Sequence, residues 1–200
     1  VMEIAMTKPG VPVSLMDAIH DRRSVRDYAP QVLDHATIDA LLDAAVLAPT
    51  AIHEEPWEFV ILQDVNALKR ISDRAKRFFV EEIHRAHLDR GGHRLDKFEQ
   101  PDFNIFYNAG TLIVICARPV NPFVVADCWL AAENLMLAAY AMGLGTCVIG
   151  SALLGLNAPE IKVKLGIPAD VSAIAPIIVG IPSGQPPATS RKKPQILAWK

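Results

Sequence analysis

Two basic clusters stand near opposite ends of the 200-residue chain, Arg22-Arg23-Ser24-Val25-Arg26 and Arg191-Lys192-Lys193. Guanidinium groups present planar forks of N–H donors. Together with a seryl hydroxyl, Arg22, Arg23 and Ser24 suit a compact dianionic phosphate monoester better than a diffuse polyanion. Arg191 and Lys193 can close the other side of such a site if the fold brings the C-terminal segment back to the first cluster. A basic pair alone is ordinarily a solvated surface patch. Here the clusters flank the turn Pro49-Thr50-Ala51-Ile52-His53-Glu54-Glu55-Pro56-Trp57, which brings a hydroxyl, an imidazole and two carboxylates between two prolines.

Other common chemistries lack their residues. The glycines of Gly143-Leu144-Gly145-Thr146-Cys147-Val148-Ile149-Gly150 follow a helix-like run and misplace the third glycine, so they form no dinucleotide fingerprint. No phosphate loop of the GxxxxGK[ST] type, no GxSxG elbow and no HExxH helix occurs, since His53-Glu54-Glu55 is followed by Pro56 and Trp57. His84 and His87 stand three apart on a charged segment with no third ligand indicated, and they read as surface histidines, so no metal site is expected. Asp17, Asp21, Asp34 and Asp43 read as caps and solvated charges rather than as a catalytic pair.

Composition bounds the rest. About half the residues are apolar (51%), enough to bury one substantial core, and the length fits a single domain over 1–200. The net charge of −2 leaves no broad positive face for nucleic acid. Three cysteines, Cys116, Cys128 and Cys147, sit in separate apolar settings without a CxxC pair, which points to reduced packing thiols and a cytoplasmic protein. Val1 to Val13 lacks the apolar core of a signal peptide, and no segment reaches the roughly 20 apolar residues of a membrane span.

The elements that must position these groups follow from spacing. Ser14-Leu15-Met16-Asp17 has a capping-box pattern and opens a helix running into Arg22 and Arg23. Ile38, Leu41, Leu42, Ala45 and Val46 repeat at helical intervals until Pro49. A strand is expected at Trp57–Leu62, a helix from Asn66 to about Leu88 ended by Gly91-Gly92, and a buried β-branched strand at Thr111–Ala117. Asp127 to Met142 is apolar nearly all round, marking a helix buried on several sides or covered by a second subunit, with Gly143 as its C-terminal cap. A short helix from Pro159 to Gly166 and a last strand over Ala173–Gly180 follow. The region 74–106 is the candidate for a variable lid, and 182–200 for an extended arm. The class is α/β or α+β.

Taken together, Arg22 to Arg26, Ala48 to Trp57, Asn134-Leu135-Met136-Leu137-Ala138-Ala139 and Gly143 to Gly150 resemble the FMN-dependent nitroreductase family, in order and over most of the chain. The resemblance implies an α+β fold, a mixed sheet sandwiched by helices, built as an intertwined homodimer with FMN in two interfacial sites. By that analogy Arg22, Arg23, Ser24 and Arg26 hold the phosphate and ribityl end, and Arg191 and Lys193 complete it. Pro49, Thr50, Ala51 and His53 approach the ring from the other subunit, and the backbone at Ile149 and Gly150 faces its reactive edge. NADH or NADPH is the implied electron donor and a nitroaromatic or quinone the small-molecule acceptor, in ping-pong order, with no dedicated catalytic side chain. Alternatives on the same scaffold are enone reduction, dehalogenation, oxygen-dependent flavin chemistry, and a flavin-binding sensor that does not turn over. One departure stands out: the family often carries Asn and Gln before the Pro-Trp pair, where this chain has His53 and Glu55. A carboxylate can only accept hydrogen bonds, so Glu55 is expected to point away from the cofactor or to pair with His53.

Overall fold

The computed structural model describes residues 13–86 and 95–200. Ser14 caps helix α1 (Leu15–Asp21) through the reciprocal bonds of a capping box with Asp17, and Asp34 caps α2 (His35–Val46) by accepting from Thr37 N at 2.8 Å. A 3₁₀ turn at Ala51–His53 leads into strand β1 (Trp57–Leu62). Helix α3 (Val65–Arg85), short α4 (Asp96–Glu99), strand β2 (Thr111–Ala117) and helix α5 (Val124–Ala141) follow. The chain continues through β3 (Gly145–Val148), a 3₁₀ turn at Gly150–Ala152, α6 (Leu153–Leu156), α7 (Pro159–Leu165) and β4 (Ser172–Gly180). The helix stop expected at Gly91-Gly92 lies outside the described residues, and α3 ends before it, at Arg85.

The sheet has the order β1-β2-β4-β3. Where the resemblance implied a mixed sheet, all three ladders between these strands are antiparallel, and the parallel component among the described residues is an isolated bridge from Ser24 to Thr146. Every residue of β2 is buried, because helices cover both faces. Alternation along the strand sends Leu112, Val114 and Cys116 to one core with α3, α6 and α7, and Ile113, Ile115 and Ala117 to the other with α2 and α5. A bulge in the β2–β4 ladder, where Ile115 pairs with Ala175 and Cys116 with Ala173, lets Ala173 face the first core while Ala175 faces the second. By length and composition α5 is the one helix among the described residues apolar enough to cross a membrane. Its Val124, Cys128, Ala131, Leu135 and Ala139 are wholly buried against the second core, while Val125, Trp129 and Leu130 stay exposed.

The region 74–106 is tied down at both ends. Ala75 and Lys76 are buried on α3, and Lys76 Nζ donates to Gln100 O and Pro101 O at 3.2 Å. Ile105 N donates to the buried Ser72 hydroxyl at 3.0 Å, and Ile105 and Phe106 belong to the core. Beyond β4, Ala29 N donates to Ile181 O and Ser183 N to Asp27 O, laying the start of the C-terminal segment along the residues that follow Arg26.

Candidate functional site

Helix α1 delivers the first basic cluster. The helix stops at Asp21, and Arg23 Nη1 donates to His20 O at 2.6 Å and to Arg22 O at 2.9 Å, satisfying carbonyls that a helix C-terminus leaves open. Arg23 Nε is buried with no hydrogen-bond partner among the described residues. Arg22 Nε stands 3.7 Å from the Glu133 carboxylate on α5. The cluster is then stitched to the sheet: Ser24 bridges Thr146, and Val25 N donates to Thr146 O at 2.9 Å. Tyr28 hydroxyl donates to Val25 O at 2.8 Å, and burial pushes its pKa upward, so it remains a donor. Arg26 lies over the Tyr107 ring, 5.9 Å from its centre.

The C-terminal arm closes this corner. Arg22, Arg23, Ser24 and Arg26 line a cavity of about 240 Å³ together with Pro186, Pro187, Thr189 and Arg191, so residues from both ends of the chain meet there. Lys193 is exposed on the arm and does not line the cavity. Below the cluster Cys147 is buried; burial raises its thiol pKa, partly offset by Arg26, by a hydrogen bond with Ser24 and by Arg22. A larger cleft of about 720 Å³ between α3 and α7 holds Arg70, Arg74 and Arg77, but Arg74 is already paired with Glu160 at 2.8 Å. Convergence of donors, rather than size, singles out the smaller cavity.

The turn after α2 does not line that cavity. It adopts unusual backbone: Ile52, His53 and Glu55 have φ of 50°, 55° and 46°, the left-handed region, which costs a non-glycine residue on the order of 1–3 kcal/mol. Ala51 N donates to both oxygens of Asp127 on α5, at 3.2 and 3.3 Å, and Asn121 Nδ2 donates to Glu54 Oε2 at 3.0 Å. Among the described residues Glu54, not Glu55, is therefore the carboxylate with a partner. No hydrogen bond or ion pair joins Glu55 to His53 among the described residues, and both side chains are exposed, as is Pro49, while Thr50 is half-buried. Ile149 is buried, with its N–H donating to Pro176 O at 2.9 Å, and Gly150 is exposed with open space where a side chain would stand. Of the pair His84 and His87, only His84 lies within the described residues, and no cluster of metal-ligating side chains occurs among them.

Within one chain the structure thus brings together Arg22, Arg23, Ser24, Arg26 and Arg191, and leaves Pro49, Thr50, Ala51, His53, Ile149 and Gly150 outside that cavity. Three supporting residues escaped the sequence reading. Tyr28 and Thr146 hold the basic strand in place, and Asp127 holds the turn. Thr146 stood inside the Gly143 to Gly150 motif without a role of its own, and Asp127 left a trace as a carboxylate near the start of an apolar helical run.

The profile of the Nitroreductase family matches residues 19–181. A protein of Archaeoglobus fulgidus, provisionally named an NADH dehydrogenase/NAD(P)H nitroreductase, is 32% identical over 84% of this chain and 84% of its own length. Human iodotyrosine deiodinase 1 is 25% identical over 84% of this chain and 61% of its own length. Among solved structures, a Bacteroides fragilis nitroreductase with bound FMN has the same fold, with a TM-score of 0.78 and 23% identity over 93% of this chain and 98% of that one.

Proposed function

Because the chain belongs to the nitroreductase family, we propose that it is an FMN-dependent NAD(P)H oxidoreductase that reduces nitroaromatic or quinone-type acceptors and works as a homodimer. The observation that carries this reading is the convergence of Arg22, Arg23, Ser24, Arg26 and Arg191 on one cavity, with Arg23 Nε buried and unpartnered. A buried N–H without an acceptor is costly, and a phosphate oxygen is the kind of partner that removes the cost. The donor set fits FMN.

In this reading Arg22, Arg23, Ser24 and Arg26 hold the phosphate, with Arg191 closing the cavity and Lys193 adding charge from the arm. FMN held there would supply the hydride and electron transfer between NADH or NADPH and the acceptor that replaces the spent nicotinamide. The protein's own work is orientation and charge: Pro49, Thr50, Ala51 and His53 would border the ring from the second subunit, and the backbone at Ile149 and Gly150 would meet its edge. No side chain is assigned a proton-transfer role. The chain is read as one domain, with the region 74–106 covering the acceptor and the arm 182–200 reaching toward the partner.

Exposed apolar side chains support the dimer: Leu15 and Ile19 on α1, Trp129 and Leu130 on α5, and Leu197 and Trp199 on the arm, the last two 100% and 88% exposed. The three free, buried cysteines fit a cytoplasmic setting. A second reading, reductive dehalogenation of a halogenated phenol on the same scaffold, is favoured by the similarity to the deiodinase.

The test is a visible spectrum of the purified, FMN-reconstituted protein, followed anaerobically through NADH and then NADPH addition, with nitroaromatic, quinone and halophenol acceptors added last. Bleaching by a nicotinamide and recovery by nitroaromatic or quinone is the expected result. Recovery by halophenol alone would move the assignment to dehalogenation. Retained flavin that neither nicotinamide bleaches would make the protein a flavin-binding module, and a colourless protein would end the flavin reading.

A further inference from the structure

We propose that Asp127 is a positioning residue for the turn Thr50 to Glu55, fixing from inside the fold the backbone that the reading above sets against the cofactor. Asp127 lies in the first turn of α5 and is 3% exposed. Both of its carboxylate oxygens accept from a single donor, Ala51 N–H, across 76 residues of sequence, at 3.2 and 3.3 Å. Its backbone N–H is used separately, donating to Phe123 O. A buried carboxylate with no cation beside it among the described residues is costly to keep, and the positive end of the long helix offsets part of that cost.

What the carboxylate holds is equally unusual. Ile52, His53 and Glu55 are all left-handed, and Ile52, branched at Cβ, is the least suited to it. Backbone of this kind persists only where its surroundings over-determine it. Packing does not do so here, since Ala51, Ile52 and His53 have no buried side chain and Ile52 is 79% exposed. The remaining side-chain anchor among the described residues, Asn121 to Glu54, lies on the exposed surface. The bond from Ala51 to Asp127 is the turn's tie to the core.

The tie is independent of which ligand the protein binds; only its consequence for FMN rests on the flavin reading. The test compares wild type, Asp127→Ala, Asp127→Asn and Ala51→Pro, the last removing the donor while leaving α5 untouched. Thr50 has the extended backbone that a following proline tolerates. Hydrogen exchange is measured first on cofactor-free protein. Loss of a charge-assisted hydrogen bond should speed exchange of the Glu54 amide, which donates to Ala51 O within the turn, by about tenfold or more, in Asp127→Ala and in Ala51→Pro, with β2 and β4 unchanged. Asp127→Asn, which keeps an acceptor of the same shape, should restore slow exchange. FMN titration of the same proteins should show Kd raised in parallel and rescued by Asn.

Unchanged exchange in the turn, or faster exchange spread evenly over α5 and the sheet without rescue by Asn, would overturn the proposal. If Asp127→Ala does not fold, slow exchange retained in Ala51→Pro overturns it equally. Local, rescued exchange in a protein that binds no FMN would uphold the role of Asp127 and sink the flavin reading instead.

Discussion

Arg23 divides its guanidinium between two tasks, closing the carbonyl end of α1 through Nη1 and leaving Nε buried and open. Replacing Arg22 or Arg23 with Ala should raise the Kd for FMN by about 10- to 100-fold, the loss of one or two charge-assisted hydrogen bonds. Arg23→Lys should not rescue, because an ammonium cannot serve both the helix end and a phosphate with one planar fork. Lys193→Ala, outside the cavity lining, should change Kd much less. Fluorescence titration checks all of these. The cysteines report the same contrast between buried and reactive. Burial pushes the Cys116 and Cys128 thiols up to about 12 and raises Cys147 as well. The thiolate is the nucleophile, so a disulfide reagent at pH 8 should label none of the three in the native protein over a time that labels all of them in denaturant. Rapid native labelling of one cysteine would show that its pocket opens.

At the scale of elements, two glycines separate site geometry from general stability. A Cβ at Gly145 would stand 2.6 Å from Val25 Cγ2, and Val25 lies between Ser24 and Arg26, so Gly145→Ala pushes the basic strand off β3. A Cβ at Gly155 would stand 2.6 Å from Ala75 Cβ, where α6 packs on α3 and Val25 is not among the atoms it would meet. Each substitution should cost about 1–3 kcal/mol of stability by overpacking. Only Gly145→Ala should also weaken FMN binding. Thermal melts paired with titration distinguish the two, and equal loss of FMN affinity in both variants would mean that β3 does not position the cluster.

For the whole molecule, paired surface carboxylates contribute to the loss of stability in acid. Hydrogen bonding from Arg74 lowers the Glu160 pKa, and hydrogen bonding from Arg118, which also contacts Glu58, lowers that of Asp170. A carboxylate whose folded pKa is depressed binds fewer protons in the native state than in the unfolded chain in acid. Its contribution is therefore complete above the ordinary carboxylate value of about 4 and is lost as pH falls through the lower folded value. The Glu160→Gln/Asp170→Asn variant should melt slightly below wild type at pH 7, by the small amount that exposed pairs contribute, and should lose less Tm than wild type between about pH 4 and pH 2, so that the two converge in acid. Assembly is the second property at this scale. Sedimentation should find two chains per particle, and truncation after Ile181, which removes Leu197 and Trp199, should shift the particle toward monomer.

Local signals were legible from the sequence because they are written in contiguous residues. The capping box at Ser14, the ends of β1 and β2, and the left-handed Gly143 and Gly166 behind their helices all depend on chemistry within a few positions. The basic clusters and the Pro49 to Trp57 turn were likewise visible as residue types. The strand β3 was not: it is four residues long and opens on glycine, and it is a strand because β4 offers it an edge. Strand direction also escaped, since composition cannot tell an antiparallel neighbour from a parallel one when both faces are buried. Tertiary structure alone decided that Arg191 returns to Arg22 and that Asp127 meets Ala51, because both contacts join segments far apart in sequence and depend on where the sheet and α5 place them.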